Sequence, residues 1–139
     1  MTLLQIINEL LKIGGKQRNV NYTGEGDIYT LNANASIDYG VFFITQNQHT
    51  QDENTITYSL NLYYIDRLLE SEKNTLSIQS TGMIVLGNII NTFNESVDEC
   101  EVEYNITYQP FTHKFADACA GVYAVVNLTV DNNIGVCSF

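Results

Sequence analysis

The sequence predicts an α+β domain: an antiparallel β-sheet, built as a meander plus C-terminal strands, packed with an N-terminal and a central α-helix. Two periodicities carry this. Apolar residues recur at helical spacing over residues 3–13 and 76–94, and they alternate with polar ones over residues 55–65, 100–108 and 120–131. With 139 residues, 45% of them apolar, one proline and neither linker nor repeat, the chain is expected to fold as one domain over residues 1–139.

The elements follow in order. Thr2 and Gln5 have the spacing of a capping box, and Leu3, Ile6, Ile7, Leu10 and Leu11 share a helical face, so the first helix is placed over residues 3–13. Gly14 and Gly15 read as its left-handed stop, with Lys12 and Lys16 near the negative end of the dipole. Residues 19–54 read as the meander. TGEGD at 23–27 is its turn, and strands lie near 28–34 and 37–46, the second centred on a run, VFFI, that suits burial on both faces. Residues 46–54, QNQHTQDEN, contain nothing that packs and are expected to form an exposed loop.

Over residues 55–65, Ile56, Tyr58, Leu60, Leu62 and Tyr64 take one face and Thr57, Ser59, Asn61 and Tyr63 the other, the pattern of a half-buried strand. After a charged turn at 70–74, Ile78, Val85, Leu86, Ile89, Ile90 and Phe93 trace the buried stripe of a second helix over residues 76–94. Glycine inside a helix costs about 1 kcal/mol relative to alanine. Gly82 and Gly87 therefore mark either close packing or a locally imperfect helix. Residues 100–108 alternate Cys100, Val102, Tyr104, Ile106 and Tyr108 against Glu101, Glu103, Asn105 and Thr107. Residues 120–131 do the same, with Tyr123 and Val125 making the second face partly apolar, as a central strand or a subunit contact requires.

Six basic residues against 16 acidic ones give a net charge of -10, which disfavours a strong grip on DNA phosphates. The segment MTLLQIINELLKIGG does not read as a secretory signal, so synthesis in a cytoplasm is expected. The apolar runs, about five residues at most, fall far short of the roughly 18 that suggest a membrane span. Three cysteines, Cys100, Cys119 and Cys137, cannot all pair and are expected to be reduced and buried. Neither CxxC nor HxxxH spacing occurs, so no metal or other cofactor is expected.

His113, Asp117 and Cys119 bring an imidazole, a carboxylate and a thiol close in sequence, but a loop running into a buried strand explains them without a nucleophile and base. Glu95, Asp98, Glu99, Glu101 and Glu103 place five acids within nine residues. Since no glycine lies between Asn88 and Gly121 to shape a calcium loop, they read as a solvated acidic rim. TGEGD lacks the lysine and the strand-to-helix step of a phosphate loop. An enzyme is not expected.

Two blocks carry a family likeness. Tyr63, Tyr64, Asp66, Arg67 and Leu68 run into Ile78, Gln79 and Ser80; later come Phe111, Phe115, Asp117, Cys119, Ala120, Gly121 and Val122. On these the chain resembles small neck or tail ring proteins of crAss-like tailed bacteriophages that infect Bacteroidetes, and its element order is similar to that of tail-terminator proteins. The resemblance implies a non-enzymatic virion protein made in the host bacterial cytoplasm. It would form a ring of six or twelve copies joining the portal to the tail, against neighbouring portal, connector or tail proteins. DNA would pass without specific binding, and no membrane is implied. Six copies would carry about -60 charges, and acids lining the lumen would keep DNA sliding. Tyr63, Asp66, Arg67, Phe111 and Phe115 are the expected contact residues. Val136 and Phe139, on an apolar end at 132–139, are expected to dock on the domain itself or on a neighbour. The alternative is a small β-rich phage adhesin or receptor-binding module, whose nine tyrosines and polar loops would stack on sugar rings.

Overall fold

Two thirteen-residue strands organise the sheet: β4 (Thr55–Arg67) and β7 (Cys119–Asp131) pair antiparallel over their whole length, from Thr55 opposite Asp131 to Arg67 opposite Cys119. The computed structural model describes residues 1–28, 39–68, 74–112 and 119–131. Around the central pair lie β1 (Tyr22–Glu25), β2 (Val41–Gln46), β3 (Thr50–Gln51), β5 (Cys100–Val102) and β6 (Tyr108–Thr112). They make one seven-stranded sheet in the order β1-β2-β4-β7-β5, with β3 also on β4 and β6 also on β7. Every pair is antiparallel except β1 with β2. Helices α1 (Leu3–Gly15) and α2 (Thr75–Ser96) pack against the sheet, which makes the chain an α+β protein of the expected class.

The expected stripe of α2 is buried; in α1 Ile6, Ile7 and Leu10 are buried as expected, whereas Leu3 and Leu11 are only half-buried and Ile13 joins the core in addition. Ile6, Ile7 and Leu10 of α1 and Ile78, Val85, Leu86, Ile89, Ile90 and Phe93 of α2 meet Phe42, Ile44, Leu60, Leu62 and Tyr64 in the main core. Each such side chain contributes roughly 1.5–3 kcal/mol, so this face outweighs any single cap. The capping box is present: Gln5 donates its N–H to Thr2 Oγ1 at 3.2 Å, and Thr2 donates its N–H to Gln5 Oε1 at 2.9 Å. The alternative left open at Gly82 resolves as close packing. A β-carbon there would lie 2.5 Å from Val122 Cγ1 and 3.0 Å from Tyr64 Cδ2, whereas one at Gly87 meets only the Tyr108 hydroxyl at 3.5 Å.

The opposite face of the sheet is covered at one end only. Val41, Phe43, Tyr63, Ile65 and Cys119, which alternate along their strands with main-core residues, form a second buried cluster with Tyr39, Phe111 and Tyr123 at its margin. Further along β4 this face turns polar. Asn61 donates to Thr45 Oγ1 at 3.1 Å, exchanges side-chain hydrogen bonds with Asn47, and is followed on the same face by the Thr57–Thr129 hydroxyl contact at 3.3 Å. Tyr63 thus belongs to a buried cluster rather than to a wet face. Aromatic neighbours across the strand pairing, which alternation alone does not reveal, cover it.

Other expectations are corrected. The predicted continuous strand over residues 100–108 is two strands with a bulge between them. Val102 is opposite Leu128 and Tyr108 is opposite Ala124, so five residues, 103–107, face three, 125–127, and Tyr104 is turned outward. The two-residue excess preserves the inside–outside phase, which is why the alternation read through it. TGEGD is not simply a turn: Tyr22–Glu25 form an edge strand parallel to β2, and Gly26 after it, at φ 122°, makes the turn that leaves the sheet. Neither Gly14 nor Gly15 is a left-handed stop. The helix runs through both to Lys16, and Gly14 lies against the Phe42 ring. Residues 46–54 are largely exposed, yet Thr50–Gln51 pair with Thr57 and Ile56. β2 begins at Val41, with Tyr39 and Gly40 outside it. The expected strand at 28–34, apart from Ile28, and most of the charged turn at 70–74 lie outside the described residues.

Candidate functional site

The acidic segment is the first candidate. Cys100 and Val102 are buried and anchor β5 to β7, which forces Glu101 between them into solvent. Glu95 in the last turn of α2, then Asp98, Glu99 and Glu103, are exposed as well. All five predicted acids therefore line one margin, from the C-terminus of α2 along β5. Met1 places its ammonium 3.7 Å from Glu99 Oε2, and the Glu103 N–H donates to the Asn127 carbonyl at 3.0 Å. Carboxylates at a helix C-terminus face the negative end of the dipole, and this last turn holds no basic residue. Local helix stability does not explain them there.

The predicted contact residues divide. Tyr63 stacks on Tyr123, with ring centroids 5.1 Å apart, and meets Phe111 edge-on at 6.2 Å. Burial pushes the Tyr63 hydroxyl above its ordinary pKa. Tyr63 and Phe111 are thus brought together inside the chain. At the end of β4, Arg67 is exposed and its guanidinium carbon lies 4.8 Å from the centroid of the Tyr39 ring. Asp66 turns back to accept the Arg67 N–H at 2.8 Å, and Asn74 donates to the Arg67 carbonyl at 3.2 Å, which ties the strand end to the start of α2. Phe115, Val136 and Phe139 lie outside the described residues, as do His113, Asp117 and Cys137.

Among the described residues no three His, Cys, Asp or Glu side chains converge as a metal ion would require. Cys100 and Cys119 are buried, and burial pushes the Cys100 thiol up to about 11, keeping it in the un-nucleophilic thiol form. No helix among the described residues is long and apolar enough to cross a membrane.

One surface escaped the sequence reading. Leu76, Met83 and Ile84 of α2 are exposed, and beside them Gly87, Ile90, Asn91, Tyr104, Ile106 and Tyr108 line a cleft of about 240 Å³. Tyr104 donates its hydroxyl to Asn91 Oδ1 at 3.2 Å. The available signal was charge rather than hydropathy: residues 75–94 contain no Asp, Glu, Lys or Arg.

No protein-family model matches the chain. No curated protein matches it in sequence.

Proposed function

We propose that the protein is a non-catalytic structural subunit that acts by self-association, a ring of the neck or tail of a crAss-like phage through which DNA passes without being held. The observation that carries this reading is the acidic margin of Glu95, Asp98, Glu99, Glu101 and Glu103, five exposed carboxylates on one edge of a chain with net charge -10. Turned towards a channel and repeated around a ring, such an edge repels phosphates and leaves packaged DNA free to move. The family likeness in the Tyr63–Leu68 and Phe111–Val122 blocks supports the same assignment. The adhesin alternative draws less support, because of the eight tyrosines among the described residues only Tyr104 is mostly exposed and three, Tyr58, Tyr63 and Tyr64, are buried.

Electron microscopy of the purified protein, with its native mass, tests the reading. Closed rings of six or twelve copies that fail to retain duplex DNA at low salt are expected. Trimers that bind glycans, or a chain that stays single at every concentration, would overturn it.

A further inference from the structure

Helix α2 is 22 residues long, and for the 20 residues 75–94 it has no charged side chain on any face. Its inner face is accounted for by the core. Its outer face presents Leu76 at 77% exposure, Ile84 at 62% and Met83 at 47%, with Ser80, Asn88 and Asn91 as the polar positions among them. A solvated helix in so acidic a protein would be expected to carry charge on its outer face. Next to these apolar knobs, on the same side of the molecule, the bulge after β5 holds Tyr104, 55% exposed, over Asn91 and opens the cleft beside Gly87.

We propose that the outer face of α2 is the contact with a second copy of this chain, two α2 helices crossing antiparallel at Gly87 so that each copy's Met83 and Ile84 enter the cleft beside the other's Asn91 and Tyr104. The inference deepens the preceding reading by naming one subunit contact, and it rests on the self-association in that reading rather than on the virion.

Three features select a second copy. Knob and hole lie on one helix, four residues to either side of Gly87, so a two-fold axis there sets Met83 of one copy level with Asn91 of the other; such self-complementarity defines an isologous contact. Copies that each carry -10 repel one another wherever their charged surfaces face, and the face of α2 is one on which they can meet without opposing like charges. Gly87 permits the approach, because outside its own helix the described atom nearest to a β-carbon there is the Tyr108 hydroxyl at 3.5 Å.

The full-length protein is tested by sedimentation and by cross-linking. Ile84→Glu places a carboxylate at an exposed position that folding tolerates, and it should weaken pairing on the order of 30-fold or more while the circular-dichroism spectrum stays unchanged. Gly87→Cys should form an oxidised dimer that the parent chain, run alongside, does not. If the protein assembles as twelve copies in two rings paired across α2, Ile84→Glu should leave single rings of six, because a two-fold contact cannot itself close a ring and closure needs a separate head-to-tail contact. A wild-type dimer that Ile84→Glu reduces to monomers would support the α2 contact and overturn the ring. Rings of unchanged copy number in Ile84→Glu would overturn the α2 contact and leave the ring standing. A wild-type chain that remains single at its highest soluble concentration, with Gly87→Cys not cross-linked, would overturn both and assign this face to a different partner.

Discussion

At Gly82 two single-residue effects oppose each other. Alanine is favoured over glycine inside a helix by about 1 kcal/mol, but overpacking a well-filled core costs about 1–3 kcal/mol. A β-carbon here falls 2.5 Å from Val122 Cγ1, both it and Tyr64 being held in the sheet. Packing wins, so Gly82→Ala is expected to lower the urea midpoint. Gly15→Ala, whose nearest neighbour would be Thr23 Cγ2 at 3.9 Å, is expected to raise it slightly; a rise at both would show that backbone propensity decides. Tyr64 sets a pH dependence. Its hydroxyl is pushed up to about 12, first by burial and then by the charge of Asp66 and the hydrogen bond to it, against about 10 in an unfolded chain. Between those values the unfolded chain has lost a proton that the folded chain keeps. The stability is therefore complete below about pH 10 and drains as pH rises towards 12. Cys100, Tyr63 and Tyr108 are raised by burial in the same direction. The melting temperature of Tyr64→Phe should accordingly fall less steeply over that range than the parent's, though not flatten, and parallel slopes would count against the burial of this hydroxyl.

At the scale of elements, the β3–β4 turn is closed by the Asp52 N–H, which donates to the Thr55 carbonyl at 2.9 Å, and by the Asp52 side chain. The Asp52 carboxylate accepts the N–H groups of Thr55 and Asn54 at 2.7 and 2.8 Å, and these bonds, Thr55's first, hold it below the usual carboxylate pKa. A depressed carboxylate contributes above its unfolded value, and the contribution is lost as pH falls through the folded one. Asp52→Ala should therefore speed amide exchange in β3 and at the start of β4 while the core of α2 stays protected; unchanged exchange in β3 would mean that the strand pairing closes the turn unaided. The sequence made the helices legible because Ile78, Val85, Leu86, Ile89, Ile90 and Phe93 can share a face at only one period. It made β4 and β7 legible because a half-buried strand must alternate. The bulge at 103–107 was hidden because an excess of two residues leaves the alternation in phase. The second cluster was hidden because Tyr63 owes its burial to Tyr123 and Phe111, which only the strand pairing brings near. The acidic margin could be read because carboxylates stay in water almost wherever the chain leads them. Leu76, Met83 and Ile84 fall off the stripe of α2, but whether apolar residues there are bare or covered depends on neighbours that only the folded chain brings near.

For the whole molecule, net charge and the apolar α2 face make opposing demands, and salt separates them. Each association brings together chains of -10, and beyond a Debye length of about 10 Å at 0.1 M the repulsion is largely screened. An interface held by ion pairs would weaken as salt is added. A contact through α2 has no charges to screen between residues 75 and 94, so added salt relieves only the repulsion around it. The association constant is therefore expected to rise between low and physiological ionic strength. The acidic margin supplies the internal control. Changing Glu99, Glu101 and Glu103 to Lys takes the formal charge from -10 to -4, since each change adds two units, without touching α2. The triple variant should associate more tightly than the parent at low salt and show a flatter salt dependence, and its assemblies should retain duplex DNA that the parent's release. Sedimentation across a salt series measures both slopes. Association of the parent that weakens with salt would place ion pairs in the contact and remove the charge argument for α2, whereas a triple variant with the parent's slope would mean that these three carboxylates lie too far from neighbouring copies to line a common channel.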